Sequence, residues 1–175
     1  MKKKNEKGVT LIILVTMIIV MLIIAGITVY SGSEVIKRAS LENLKTNLLL
    51  IEAKTKEYVE EVSFKMGVNP DDAKRNSVRE EVYQNKGKLV ELSNTSDEVK
   101  NSAVEAGIDT NEGCYYVSRE ALDNLGLNQV PEGDGDYYIV KFDEANLAVE
   151  IYNTKGYNDK GNVKYSLTDI DNIEK

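Results

Sequence analysis

Histidine and tryptophan are absent from this chain of 175 residues, cysteine occurs once and proline twice. Without histidine there is no ordinary general base at neutral pH, no imidazole metal ligand, and no Ser/His or Cys/His nucleophile pair. Nothing marks a Ser/Lys pair in its place, so the expectation is that the chain is not an enzyme and carries no cofactor. A lone Cys114 excludes an internal disulfide, and its setting in the apolar run GCYYV reads as a buried, inert thiol. The folded part must therefore be held by packing alone. The two prolines are Pro70 and Pro131, so no proline interrupts a helix over the first 69 residues.

Charge of one sign is also scarce where it would matter. The chain has 22 basic and 29 acidic side chains, a net charge of −7. Four of the lysines (Lys2, Lys3, Lys4, Lys7) precede Gly8 with only Glu6 against them, so the remainder holds 18 basic against 28 acidic groups. So acidic a body repels a phosphate backbone, which argues against nucleic acid as a partner.

What the chain does have is one long uncharged run. No charged residue occurs between Gly8 and Ser33, and residues 9–30 read VTLIILVTMIIVMLIIAGITVY. As a helix, 22 residues rise about 33 Å, close to a hydrocarbon core of about 30 Å. Residues 9–30 are thus expected to form a transmembrane helix. Ala25-Gly26 imitates a signal-peptide cleavage site, yet the apolar run continues past it through Ile27 and Val29. Lysines before the run and balanced charge after it (Glu34, Lys37, Arg38) predict a single-pass membrane protein with a cytosolic amino terminus.

Beyond the run, Leu41, Leu44, Leu48, Ile51, Thr55, Tyr58 and Val62 recur in steps of three and four. This predicts that the helix continues over residues 31–66 with one buried face, packed against its own domain. Residues 67–175 are expected to form an acidic globular domain. Within it, Asn69 should cap a helix with Pro70 at its first position, running to about Gln84. A helix over residues 97–106 closed by Gly107, and one over 119–125 capped by Ser118 and closed by Gly126, follow from the same rules. Strands are predicted over residues 114–117, 137–142, 147–152 and 163–165, with residues 154–162 as a Gly/Asn loop and a terminal turn or helix after Ser166. The fold class is α+β: a long amino-terminal helix leading into short helices and a small antiparallel sheet.

The leader and apolar run resemble those of type IV pilins and type II secretion pseudopilins. The residues that carry the likeness are KGVTLII, a glycine after a lysine-rich leader followed by a hydrophobic residue and Thr-Leu-Ile. The resemblance covers about the first 35 residues. It implies cleavage by a prepilin peptidase between Gly8 and Val9, N-methylation of Val9, and assembly with other pilin-like subunits into a pilus-like filament or secretion pseudopilus at the cell surface. It also implies a pilin-like fold. Gly8 suits the cut because a residue without a side chain takes the extended form a protease cleft needs. The sequence departs from the family at the fifth residue after the cut, Ile13, where a glutamate is usual. In the family that carboxylate pairs with a neighbouring amine, and an unpaired buried ammonium costs several kcal/mol. Loss of the acid points to a minor or tip subunit. The alternative is a bitopic membrane protein that displays an extracellular binding domain and never polymerises. Thr10 and Thr16 offer only hydroxyls, and the usual kinking proline is missing near Tyr30.

Three other features carry candidate chemistry. Glu132, Asp134 and Asp136 alternate with glycines in PEGDGDYY, a pattern of oxygen ligands that would suit Ca²⁺, although it does not match a twelve-residue calcium loop. The bland reading is a solvated turn with no metal, and Asn158 to Asn162 reads likewise. Glu60-Glu61 and Glu80-Glu81 point about 100° apart on a helix and so do not converge on one substrate. Tyr115-Tyr116 and Tyr137-Tyr138 are expected to alternate across the sheet, one ring inward and one outward.

Overall fold

The computed structural model describes residues 6–108, 110 and 113–172, with backbone alone described for residues 6–13 and 23–33. Two compact units result, Met1–Glu42 and Asn43–Lys175. A single helix α1, Glu6–Met66, runs through the boundary between them.

The sequence predicts a membrane-crossing helix over residues 9–30, and this expectation is corrected. Among the described residues no helix is long and apolar enough to cross a membrane. The uncharged run described with its side chains covers only residues 14–22. Nine helical residues rise about 13 Å, less than half of a hydrocarbon core. The fold class that stands is α+β with a five-stranded antiparallel sheet.

In the second unit the seam of α1 faces the core. Leu48, Ile51, Thr55 and Val62 are fully buried and Tyr58 nearly so, and Val59 and Met66 widen the stripe. Thr55 is tolerated there because its Oγ1 donates to the Ile51 carbonyl oxygen at 2.8 Å, which satisfies its hydroxyl.

The predicted cap of the next helix is displaced. Asn69 takes a left-handed backbone, φ 54°, in the turn after α1, and Asp71 caps α2 (Asp72–Arg79) instead. The Asp71 side chain accepts from the Lys74 N–H at 2.8 Å. An Asp one residue beyond Pro70 does the same capping work, and Asn is freed for the conformation it tolerates best. Helix α2 then widens into a π-helical segment, Glu80–Lys86, closed by the Gly87 N–H bonding to the Val82 carbonyl at 2.9 Å.

The sheet has strand order β1-β2-β3-β4-β5, every neighbour antiparallel. Its strands are β1 Val90–Glu91, β2 Cys114–Val117, β3 Tyr138–Asp143, β4 Ala148–Asp159 and β5 Asn162–Ser166. A 3₁₀ turn, Leu92–Asn94, and helix α3, Asp97–Glu105, follow β1. Helix α4, Arg119–Asn124, follows β2 with Ser118 as its cap, and helix α5, Leu167–Asp171, follows β5 with Ser166 as its cap. Register puts Tyr115 opposite Val140 and Tyr116 opposite Ile139, so the two sheet faces separate cleanly. Both are covered. Tyr137, Ile139 and Cys114 join Leu92, Val99, Ala103 and Ile108 in a cluster on the α3 side, and Cys114 is free and buried. On the opposite face, the Tyr138 hydroxyl accepts from Asn47 of α1 at 3.3 Å. The expectation of one outward ring per tyrosine pair therefore fails for Tyr137, which helix α3 covers. Its hydroxyl donates to Glu98 at 2.6 Å.

Residues 154–162 are not a loop. Strand β4 continues to Asp159 and its pairing with β5 shifts register between Tyr152 and Tyr157. Gly156 makes this bulge possible, with φ +61° and space for a Cβ taken by the Lys164 carbonyl oxygen, 2.6 Å away. The Asn153 side chain, 1% exposed, accepts from the Gly156 N–H at 2.8 Å. Gly161, in the β4–β5 turn, shares the positive φ (+97°) but would meet nothing within 4 Å.

The two glycines should therefore differ on substitution. Backbone strain alone should cost Gly161→Ala about 1 kcal/mol, and Gly156→Ala, with the β5 backbone in the way, about 3 kcal/mol. Urea unfolding of the two variants checks the order.

Candidate functional site

Two regions bear on function, one in each unit. In the first, residues 14–22 are all exposed. Leu14, Val15, Met17, Ile18, Ile19, Val20, Met21 and Leu22 range from 46% to 67% exposure. Successive helical residues turn about 100°, so nine of them pass around the axis more than twice. The apolar surface is therefore a collar, not a stripe. A helix apolar all round is stable only when apolar groups surround it. Covering such side chains is worth about 1.5–3 kcal/mol each, so exposing the whole collar to water is costly.

Gly8 and Val9, the residues singled out for cleavage and methylation, have helical backbone within α1, and their side chains lie outside the described residues. The same holds for Thr10, Ile13 and Tyr30.

The turn with Glu132, Asp134 and Asp136 holds its acids apart by giving them protein partners. Gly133 and Asp136 exchange both backbone hydrogen bonds, at 3.1 and 2.9 Å. The Tyr116 hydroxyl donates to Glu132, and Asn153 Nδ2 donates to Asp136 at 2.6 Å. Asp134 sits exposed with φ 53°. Among the described residues no group of acids, cysteine or histidine could hold a metal ion. Glu60 is exposed and Glu61 serves as a partner for Lys65 and Lys86, which holds its carboxyl below the usual range.

The second region was not apparent in the sequence. A cleft of about 570 Å³ opens between the α2–π-helical segment and the β1–β2 edge, lined by Asn76, Arg79, Glu80, Gln84, Glu91 and Tyr115 among others. Arg79 grips Glu144, in the β3–β4 turn, with two parallel hydrogen bonds of 2.7 Å. Tyr83 adds a third from its hydroxyl at 3.2 Å. The ring of Tyr83 stacks on Phe142 with centroids 4.1 Å apart and tilts against Tyr115 at 5.0 Å. The π-helical widening delivers Tyr83 to this place, where it is wholly buried. Burial pushes the phenols of Tyr83 and Tyr115 up, with nearby Glu144 and Glu91 adding in turn. Burial also raises Tyr138, to about 12.

Comparison with protein-family models, with curated proteins and with solved structures finds no match.

The raised phenols set an alkaline limit. A tyrosine whose folded pKa exceeds its unfolded value of about 10 stabilises the fold fully below that pH, and the contribution is lost as pH climbs toward the folded value. Tyrosinate absorbance from Tyr83, Tyr115 and Tyr138 should thus appear together with unfolding. Replacing Tyr138 by Phe should flatten the fall in stability between pH 10 and about 12 by about 1.4 kcal/mol per pH unit. Stability measured across that range checks the slope.

Proposed function

We propose that this chain is a structural subunit, minor or tip, of a type IV pilus-like filament or a type II secretion-like pseudopilus. The observation that supports the reading is the apolar collar over residues 14–22, exposed on every side of its helix. Such a surface requires apolar surroundings, which the helices of neighbouring pilin-like subunits supply in the assembly. The segment KGVTLII that directly precedes the collar supplies the second support, through its resemblance to the prepilin-type processing site. A prepilin peptidase cuts between Gly8 and Val9 and methylates Val9. Cutting there removes the lysine-rich leader and leaves the collar whole. The acidic unit, with both faces of its sheet covered, then faces outward at the cell surface.

Ile13 decides the place in the assembly. Without a carboxylate five residues after the cut, the subunit has no internal partner for the amine of a copy ahead of it. A tip position removes that demand. The second reading is a surface-displayed binding domain that does not polymerise, and Ile13 is what favours it.

Intact mass distinguishes processing from its absence. The native protein should weigh what a chain beginning at Val9 weighs, with one added methyl group. A mass that retains residues 1–8 contradicts the proposal. Ile13→Glu should release the subunit from a fixed position in sheared filaments, seen by labelling with an antibody to the outer unit. Labelling unchanged along and at the ends of filaments would sink the tip assignment.

A further inference from the structure

The assembly reading leaves the cleft of the acidic unit unused, and its chemistry is specific. Tyr115 is 3% exposed, yet its hydroxyl has no hydrogen-bond partner among the described residues. The other core tyrosine hydroxyls are matched: Tyr83 to Glu144, Tyr137 to Glu98 and Tyr138 to Asn47. No buried side-chain polar atom of the described residues lacks a partner, so the Tyr115 hydroxyl reaches the open space of the cleft it lines. Glu91 stands directly opposite Tyr115 in the β1–β2 ladder, which puts the two side chains on the same face, within about 5.5 Å at Cβ.

Charge narrows the occupant. Arg79 is the one cation among the described lining residues, and Glu144 matches its charge with a bidentate pair. Glu91 is held by neutral donors only, Gln84 at 3.2 Å and Asn94 at 3.3 Å. Neither Glu91 nor Glu80 is in an ion pair among the described residues. Two carboxylates without a counter-charge repel an anion. A sugar usually stacks on an aromatic face, and the Tyr115 ring is packed against Tyr83 and Phe142, at 5.0 and 5.7 Å. What remains complementary is a positive group with several N–H donors. An ammonium has three and accepts nothing, and it suits carboxylate and phenol oxygens together.

We propose that the cleft between the π-helical segment and the β1–β2 edge binds a protonated primary amine, either a lysine side chain of a partner or a small alkylamine. Glu91 supplies the charge, Tyr115 the buried acceptor oxygen, and Glu80 the rim. The site lies wholly in the second unit and does not depend on filament assembly.

The test uses the full chain in detergent, followed by amide NMR during titration with n-butylamine and, separately, with Nα-acetyl-lysine N-methylamide. Saturable shifts at Glu91 and at residues 113–115, with dissociation constants in the low-millimolar range, are expected for at least one probe. Preference for the lysine derivative assigns the source to a partner's side chain, and preference for butylamine to a free amine. Glu91→Gln should weaken binding about tenfold and Tyr115→Phe, which keeps the packed ring, about threefold. Absence of saturable shifts with both probes, equal shifts from butyrate, or undiminished binding by both variants would overturn the proposal. Should a variant fail to fold, the wild-type contrast between butylamine and butyrate decides alone. Failure here leaves the mass of the processed chain, and the assembly reading with it, untouched.

Discussion

An apolar helix surface with no polar side is the constraint on which this molecule turns. Residues 14–22 expose hydrocarbon around the whole circumference of α1. From Leu48 to Met66 the same helix buries one stripe and presents charge elsewhere. Two different surroundings are thus written into one helix by side-chain pattern alone. Among the described residues of its own unit, nothing covers the first part. The second part completes a core.

That core sets buried tyrosines among its aliphatic side chains. Tyr83, Tyr115 and Phe142 form a ring cluster on one sheet face, while Tyr116 and Tyr137 meet edge to face on the other. Phenols bring a polar tip into the interior, and each tip must be answered. Glu144, Glu98, Glu132 and Asn47 answer four of them. The Arg79 fork then fixes Glu144, so the acid that satisfies Tyr83 is itself held in place.

Local signals in the sequence translated well where one residue decides the outcome. Ser118, the expected cap, does cap α4 through its side-chain oxygen, and Ser96 and Ser166 cap α3 and α5 in the same way. Three features were illegible for physical reasons. The cap moved from Asn69 to Asp71 because both residues can cap, and Asn69 is taken up by the positive φ of the turn. The Gly156 bulge reads as a loop because glycine in a strand and glycine in a turn look alike without the partner strand. The cleft depends on a π-helical widening that no spacing rule announces, and on Glu91 meeting Tyr115 across a two-residue strand. The membrane-crossing helix inferred from hydropathy is a further expectation that the described residues overturn.

The account stands or falls on what covers the collar. A photo-crosslinking benzoylphenylalanine placed at Ile18 sits on that surface, and irradiation of sheared cell-surface material reads its neighbours. The proposed assembly predicts crosslinked adducts with other pilin-like subunits from Ile18 and none from the same group at Phe64, in the other unit. Monomers alone at both positions, in material that contains the subunit, would contradict it.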